Sequence, residues 1–140
     1  MFKIRETKNR KLIEKLNERI FPEDPLEVGP TDPCWIVYLA DMPVGFGTLR
    51  PLPYEAESVF FSRAGLQEIA RGAGLHKRLI GVRLSWCKRN GYKNIITYTL
   101  QENLASANNL ASMGFKLYEP ENLWADSEGK REVLYFYREI

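Results

Sequence analysis

The chain is 140 residues long, 44% hydrophobic and 27% charged, with a formal net charge of +2. That is one domain over residues 1–140 with a sizeable core, and the composition is that of a soluble globular protein. The small net charge argues against general nucleic-acid binding, and no apolar run approaches the ~20 residues needed to span a bilayer, so no membrane partner is expected. Cys34 and Cys87 have no metal-ligand spacing, so no metal is expected. With no signal-peptide pattern either, the expectation is a cytoplasmic protein with both thiols reduced.

Residues 2–6 alternate apolar and polar and predict a first strand. Thr7 can cap a helix over 8–20 that carries Leu12, Ile13, Leu16 and Ile20 on one face. Residues 21–33 hold Pro22, Pro25, Pro30 and Pro33, so any helix there is short and interrupted. The charges of that stretch, Glu23, Asp24, Glu27 and Asp32, are all acidic. Residues 35–40 and 44–50, joined through Asp41-Met42-Pro43, predict a hairpin that Pro51 and Pro53 end. A strand follows over 57–67, with Gly65 marking a bulge near its end. A helix over 74–90 has Leu75, Leu79, Val82 and Trp86 along one face and stops at Asn90-Gly91. Next come a buried strand over 94–100 and a helix over about 106–113, with Gly114 as its C-cap glycine. The last strands, 115–118 and 133–138, are joined by a polar connection carrying Trp124. The order β-α-β-β-β-α-β-α-β-β gives a mixed α/β fold with helices on both faces of the sheet.

The chemistry concentrates at Arg71-Gly72-Ala73-Gly74, a glycine turn between strand and helix. Such a helix start presents unpaired N–H groups and the positive end of its dipole, and so attracts anions. Glycine lets the backbone approach a ligand closely. From 71 to 93 the charged residues are Arg71, Lys77, Arg78, Arg83, Lys88, Arg89 and Lys93, with no Asp or Glu. A phosphate-bearing ligand is the direct reading. The nucleotide-hydrolase loop is absent, and Lys77 stands where a dinucleotide fingerprint needs its third glycine.

What remains, Arg71-x-x-Gly74, resembles the Arg/Gln-x-x-Gly-x-Gly/Ala signature of the GNAT superfamily of acyl-CoA N-acyltransferases, with His76 where that family has Gly or Ala. A second match lies downstream. Asn103, Ser106, Gly114 and Phe115 fit the family's second cofactor segment, a strand ending in Asn, a small residue three on, and Gly-Phe eleven and twelve on. Together the segments cover about 66–115.

The resemblance implies a mostly antiparallel sheet whose two central parallel strands, here 57–67 and 94–100, splay apart to admit the pantetheine arm of coenzyme A. It implies acetyl-CoA as cosubstrate and an amine as acceptor, and it leaves a homodimer open. Leu66, Gln67 and Glu68 would offer backbone groups to pantetheine. The N–H near Leu66 would also polarise the thioester carbonyl, a donor commonly worth ~3 kcal/mol of barrier. Arg71, Gly72, Ala73, Gly74, Leu75 and His76 would hold the pyrophosphate, and Asn103 and Ser106 the pantetheine amides, although both also suit a helix start. His76, the single histidine, falls in the phosphate turn rather than at the thioester. The family's usual acid, a Tyr seven residues after the Asn, is replaced by Leu110, and the usual base positions fall on Ser58, Phe60 and Ser62, none a good base. Glu57 is the nearest carboxylate, acting directly or through water, or simply a solvated strand end. Tyr98 and Tyr118 are further polar candidates that also suit the core. The reading is an N-acetyltransferase in which the amine attacks the thioester directly in a ternary complex. The acidic 21–33 stretch with Glu55 and Glu57 favours a cationic acceptor. A non-catalytic acyl-CoA-binding module acting through protein contacts is the alternative, and a protein sharing only the phosphate turn is a third.

Overall fold

The computed structural model describes residues 1–125 and 132–140. Its elements run β1 (Phe2–Thr7), α1 (Arg10–Ile20), β2 (Cys34–Leu39), β3 (Met42–Pro51), β4 (Ser58–Leu66), a 3-10 turn (Glu68–Ala70), α2 (Leu75–Arg89), β5 (Asn94–Leu100), α3 (Leu104–Ser112), β6 (Lys116–Tyr118) and β7 (Val133–Glu139). They form one seven-stranded sheet in the order β1-β2-β3-β4-β5-β7-β6. Every neighbouring pair is antiparallel except β4–β5. The expected element order and mixed sheet are therefore observed. Part of the β6–β7 connection, 126–131, lies outside the described residues.

Several boundaries moved for local reasons. Asn9, not Thr7, caps α1, its Oδ1 accepting from Leu12 N at 3.1 Å, so the helix starts later than Thr7 implied. The hairpin turns at Ala40-Asp41, with Ala40 at φ 52°, and Pro43 belongs to β3. Asn103 caps α3, Oδ1 to Ser106 N at 3.1 Å, and that helix begins at Leu104 rather than near Ser106. Gly114 closes α3 at φ 87°, while Phe115 N bonds back to Leu110 O at 3.0 Å.

The sheet carries a helix on one face and two on the other. On one face α1 lays Ile13 and Leu16 against Cys34, Ile36 and Phe46. On the opposite face α2 and α3 cover the larger core, where Leu75, Leu79, Leu84 and Leu110 meet Val37, Leu49, Phe61, Ile95 and Phe136. Gly65 is no bulge. It pairs regularly with Phe46, and a Cβ there would lie 2.6 Å from Phe21 Cε2, so its missing side chain lets α1 close on the sheet. The bulge of β4 lies earlier. Thr48 faces Arg63 and Arg50 faces Phe60, which leaves one extra residue in β4 at 61–62.

Candidate active site

β4 and β5 run side by side only at Ser58–Asn94, Val59–Ile95 and Phe60–Ile96. Just past that point Thr97 Oγ1 donates to the Phe61 carbonyl at 2.9 Å, a side chain where the ladder would have continued. Ser62 to Leu66 and Tyr98 to Leu100 then have no partner in each other, so the sheet forks. Gln67 N donates to Val44 O at 2.7 Å, toward β3. Amides along a strand alternate sides, so the Leu66 N–H points away from β3 and into the fork.

The chain leaves β4 through the 3-10 turn and enters α2 at the glycine turn. Gly72 and Gly74 sit at φ 81° and 72°, conformations that favour glycine, with nothing within 4 Å of either added Cβ. Arg71 N bonds to Glu68 O at 3.1 Å, and Arg78 N to Gly74 O at 3.2 Å. Between them the amides of Gly72, Ala73, Gly74, Leu75, His76 and Lys77 find no acceptor among the described residues. The turn is exposed, and the side chains of Arg71, Lys77 and Arg78 lie at the surface around it. This is an anion cradle at a helix N-terminus, continuous in sequence with the end of the fork.

Arg83 does not belong to that basic surface. It is 4% exposed, with Nε donating to Leu79 O at 3.1 Å, Nη1 to Thr48 O at 3.2 Å, and its guanidinium 4.3 Å above the Phe61 ring. Gly47 makes room for it, since a Cβ there would stand 3.4 Å from Nε. Burial lowers its pKa to about 10, so it remains charged at neutral pH.

On the α1 face the fork borders a cavity of about 160 Å³, lined by Leu26, Glu27, Val28 and Asp32 from the 21–33 stretch and by Thr48, Arg50, Phe60, Ser62, Arg63 and Tyr98 from the sheet. The bulge explains why two consecutive residues, Ser62 and Arg63, both line it. Thr48 Oγ1 and Ser62 Oγ are 2.7 Å apart. Arg50 binds Asp32 Oδ2 through Nε and Nη2 at 3.0 and 2.9 Å. Arg63 binds Asn17 Oδ1, the Asp24 carbonyl and Asp24 Oδ2 at 2.9, 2.7 and 3.0 Å. Arg10 Nε reaches Gly29 O at 2.8 Å. Three arginines from three elements thus pin the proline-rich stretch over the cavity.

The structure brings Leu66, Gln67, Glu68 and the 71–76 turn onto one continuous path. It does not bring Glu57 there. Glu57 precedes the paired end of β4, at φ 62°, with its carbonyl accepting from Lys93 N and Asn94 N at 2.8 and 3.0 Å and its carboxylate 3.7 Å from Lys93 Nζ. It stands at the closed end of the strand, remote from Leu66, because closeness in sequence to the fork's strand is not closeness to its open end. Ser58 is buried at that same end. Leu110 packs in the core, and Asn103 commits its Oδ1 to the cap of α3. Tyr118 accepts from Trp124 Nε1 at 3.3 Å and burial raises its pKa, so it stays a phenol. Thr48, Arg50 and Arg63 were missed from sequence. The alternation that puts Phe46, Thr48 and Arg50 on one face of β3 was the available signal.

His76 is half-buried at the turn, and its pKa is lowered from 6.5 by burial first and then by Arg83 and Arg71. Above 6.5 the ring is neutral in both folded and unfolded chains and contributes nothing. Below that, the unfolded chain takes up a proton that the folded one resists, so stability falls through 6.5 and levels off below the lower folded value. The wild type should therefore lose more melting temperature than His76→Gln between about pH 7 and about pH 5. Equal losses would refute the assignment.

A fork between parallel strands, opening toward a bare helix N-terminus within this strand order, is the architecture of the acyl-CoA N-acyltransferases. The chain belongs to the acetyltransferase (GNAT) family, whose profile matches residues 2–115. In structure it is similar to the ribosomal-protein-S18-alanine N-acetyltransferase of Escherichia coli, with a TM-score of 0.81 and 12% identity over 100% of this chain and 94% of that one. It is similar to the IAA acetyltransferase of Bacillus cereus ATCC 14579, with a TM-score of 0.80 and 12% identity over 100% of both chains. A GNAT family acetyltransferase from Elizabethkingia anophelis with acetyl-CoA bound gives a TM-score of 0.79 and 14% identity over 99% of this chain and 98% of that one. No curated protein sequence matches the chain. Among the described residues no helix is long and apolar enough to cross a membrane, and no cluster of metal-ligating side chains occurs.

Proposed function

We propose that the protein transfers an acetyl group from acetyl-CoA to a primary amine, which attacks the thioester carbon directly while both substrates are bound. The observation that carries this reading is the fork with the Leu66 N–H turned into it, ending at the unpaired amides of residues 72–77. The residues present fit coenzyme A. The 71–76 turn suits a pyrophosphate, and the open backbone of Leu66, Gln67 and Glu68 suits an amide-bearing arm lying in the fork. The Leu66 N–H would stabilise the oxyanion as it forms. We assign Ser106 a weaker part, toward the arm, with Asn103 shared between that arm and the helix cap.

The proton of the acceptor ammonium leaves by way of water and the Thr48–Ser62 hydroxyl pair, which lies in the cavity wall. Glu57 is too far along β4 to take it directly. With Leu110 in place of a phenol, the thiolate departs without a dedicated acid, which a thiol pKa of about 8.5 permits. The absence, among the described residues, of a carboxylate base at the fork and of a phenol at 110 favours the second reading, a module that binds acyl-CoA without turnover. Thiol release on adding acetyl-CoA with a panel of amines decides between them. Coenzyme A that raises the melting temperature with no amine releasing thiol would leave only the second. We place this one-domain protein in the cytoplasm, a reading that the two buried free thiols support, each raised by burial to about 11 and so unreactive.

The acceptor is a cation. Arg63 and Arg50 neutralise Asp24 and Asp32, but Glu23 and Glu27 have no ion pair among the described residues. A negative mouth concentrates cations, and salt weakens the effect. A Glu23→Gln/Glu27→Gln double variant should cut kcat/KM for a cationic amine by about threefold or more at low salt and little at high salt. Preference for an anionic amine, or a loss that ignores salt, would refute it.

A further inference from the structure

We infer that the cavity beneath the 21–33 stretch seats a benzene-sized ring, so that the acceptor is a primary monoamine borne on a short arylalkyl group. This rests on the acetyl-transfer reading above and narrows its acceptor. The size comes first. The cavity is about 160 Å³, and a protein cavity of about 150 Å³ is known to take up benzene. An extended polyamine chain needs a longer space.

The wall comes second. The Phe60 and Tyr98 rings lie 6.0 Å apart and within 15° of parallel, and Trp124 meets both edge-on at 5.3 and 5.6 Å. Phe60 and Tyr98 line the cavity, with Leu26 and Val28 from the stretch above. A further ring can pack on such a wall offset or edge-on.

The polar lining comes third. Asp32 is taken by Arg50, Arg63 by Asp24 and Asn17, and Thr48 by Ser62. Glu27 is the one carboxylate of the lining with no ion pair among the described residues. Glu27 can attract the single ammonium of the acceptor before its proton leaves. Sugar hydroxyls would compete with bonds already made at Asp32, Arg63 and Thr48.

The same chemistry occurs in a free arylalkylamine and in an aromatic N-terminal residue of a peptide. Initial rates with acetyl-CoA would be measured for 2-phenylethylamine, a phenylalanine-led tripeptide, spermidine and glucosamine. 2-Phenylethylamine or the tripeptide should exceed spermidine and glucosamine in kcat/KM by about tenfold or more, and which of the two leads identifies the source. Tyr98→Ala should raise KM for the aromatic amine by about tenfold with kcat within about threefold, and leave KM for other amines unchanged. Val28→Trp fills the cavity from its roof. It should abolish turnover of the aromatic amine while the thermal shift with coenzyme A persists, and it serves if Tyr98→Ala does not fold. Preference for spermidine or glucosamine, or equal KM changes for all amines, overturns the inference and leaves acetyl transfer standing. No thiol release with any amine, with coenzyme A still bound, overturns acetyl transfer and this inference with it.

Discussion

Gly74→Asp should lose the rise in melting temperature that coenzyme A gives, while the free protein melts close to wild type. The position has φ 72°, with no heavy atom within 4 Å of an added Cβ. Asp is among the side-chain-bearing residues that visit this region most readily, at a cost of about 1–2 kcal/mol. Its carboxylate stands beside the first-turn amides and the positive end of the α2 dipole, which offsets part of that cost. Those same amides would otherwise hold the pyrophosphate, and the new charge repels it. A loss of about 100-fold in affinity, about 2.7 kcal/mol, is expected. Titration of coenzyme A by thermal shift measures it. Gly74→Ala brings the strain without the charge and should lose much less. An undiminished shift in Gly74→Asp would place the ligand elsewhere.

Leu66→Pro should cut kcat by about 100-fold or more, the usual consequence of removing one oxyanion donor. Proline deletes the N–H that turns into the fork and spares the ladder to β3, which uses Gln67 N on its other side. Leu66 is also a core residue, 3% exposed, so lost packing must be separated from the lost donor. Leu66→Val trims the side chain and keeps the N–H, and its kcat should stay within about threefold of wild type. The thermal shift with coenzyme A should survive in both. Equal losses of kcat in the two variants would assign the effect to packing and remove the backbone donor from the mechanism.

Local physics was legible in the sequence. The glycine turn, the α2 stop at Asn90-Gly91, Gly114 and the alternating first strand each depend on a few adjacent residues, and each was found near where it was expected. What failed needed a partner far along the chain. The bulge at 61–62 has no glycine to announce it, because it arises from register against β3. The acidic stretch looked uniformly negative until Arg50 and Arg63, remote in sequence, neutralised half of it. Arg83 looked like one more surface cation. Its helical phase turns it onto Gly47, a residue whose vacancy matters only once α2 lies across β3. Glu57 shows the converse error, a residue near the right strand in sequence but at its wrong end in space.

The sheet behaves as two leaves bound along a short spine. Strands β1–β4 make one leaf and β5, β7 and β6 the other, and three residue pairs with the Thr97–Phe61 bond stitch them. The continuous core beneath α2 backs that spine on one face. From Phe60 to Leu66 β4, still paired with β3 but parted from β5, runs roughly 20 Å, so a rotation of that leaf by about 3° at the spine moves its tip by about 1 Å. Reaction rates are sensitive to displacements of that size. Phe61 and Thr97, which need touch neither substrate, therefore stand at the fulcrum of the fork that the proposed reaction would use. Small changes in their volume set its width by leverage rather than by contact.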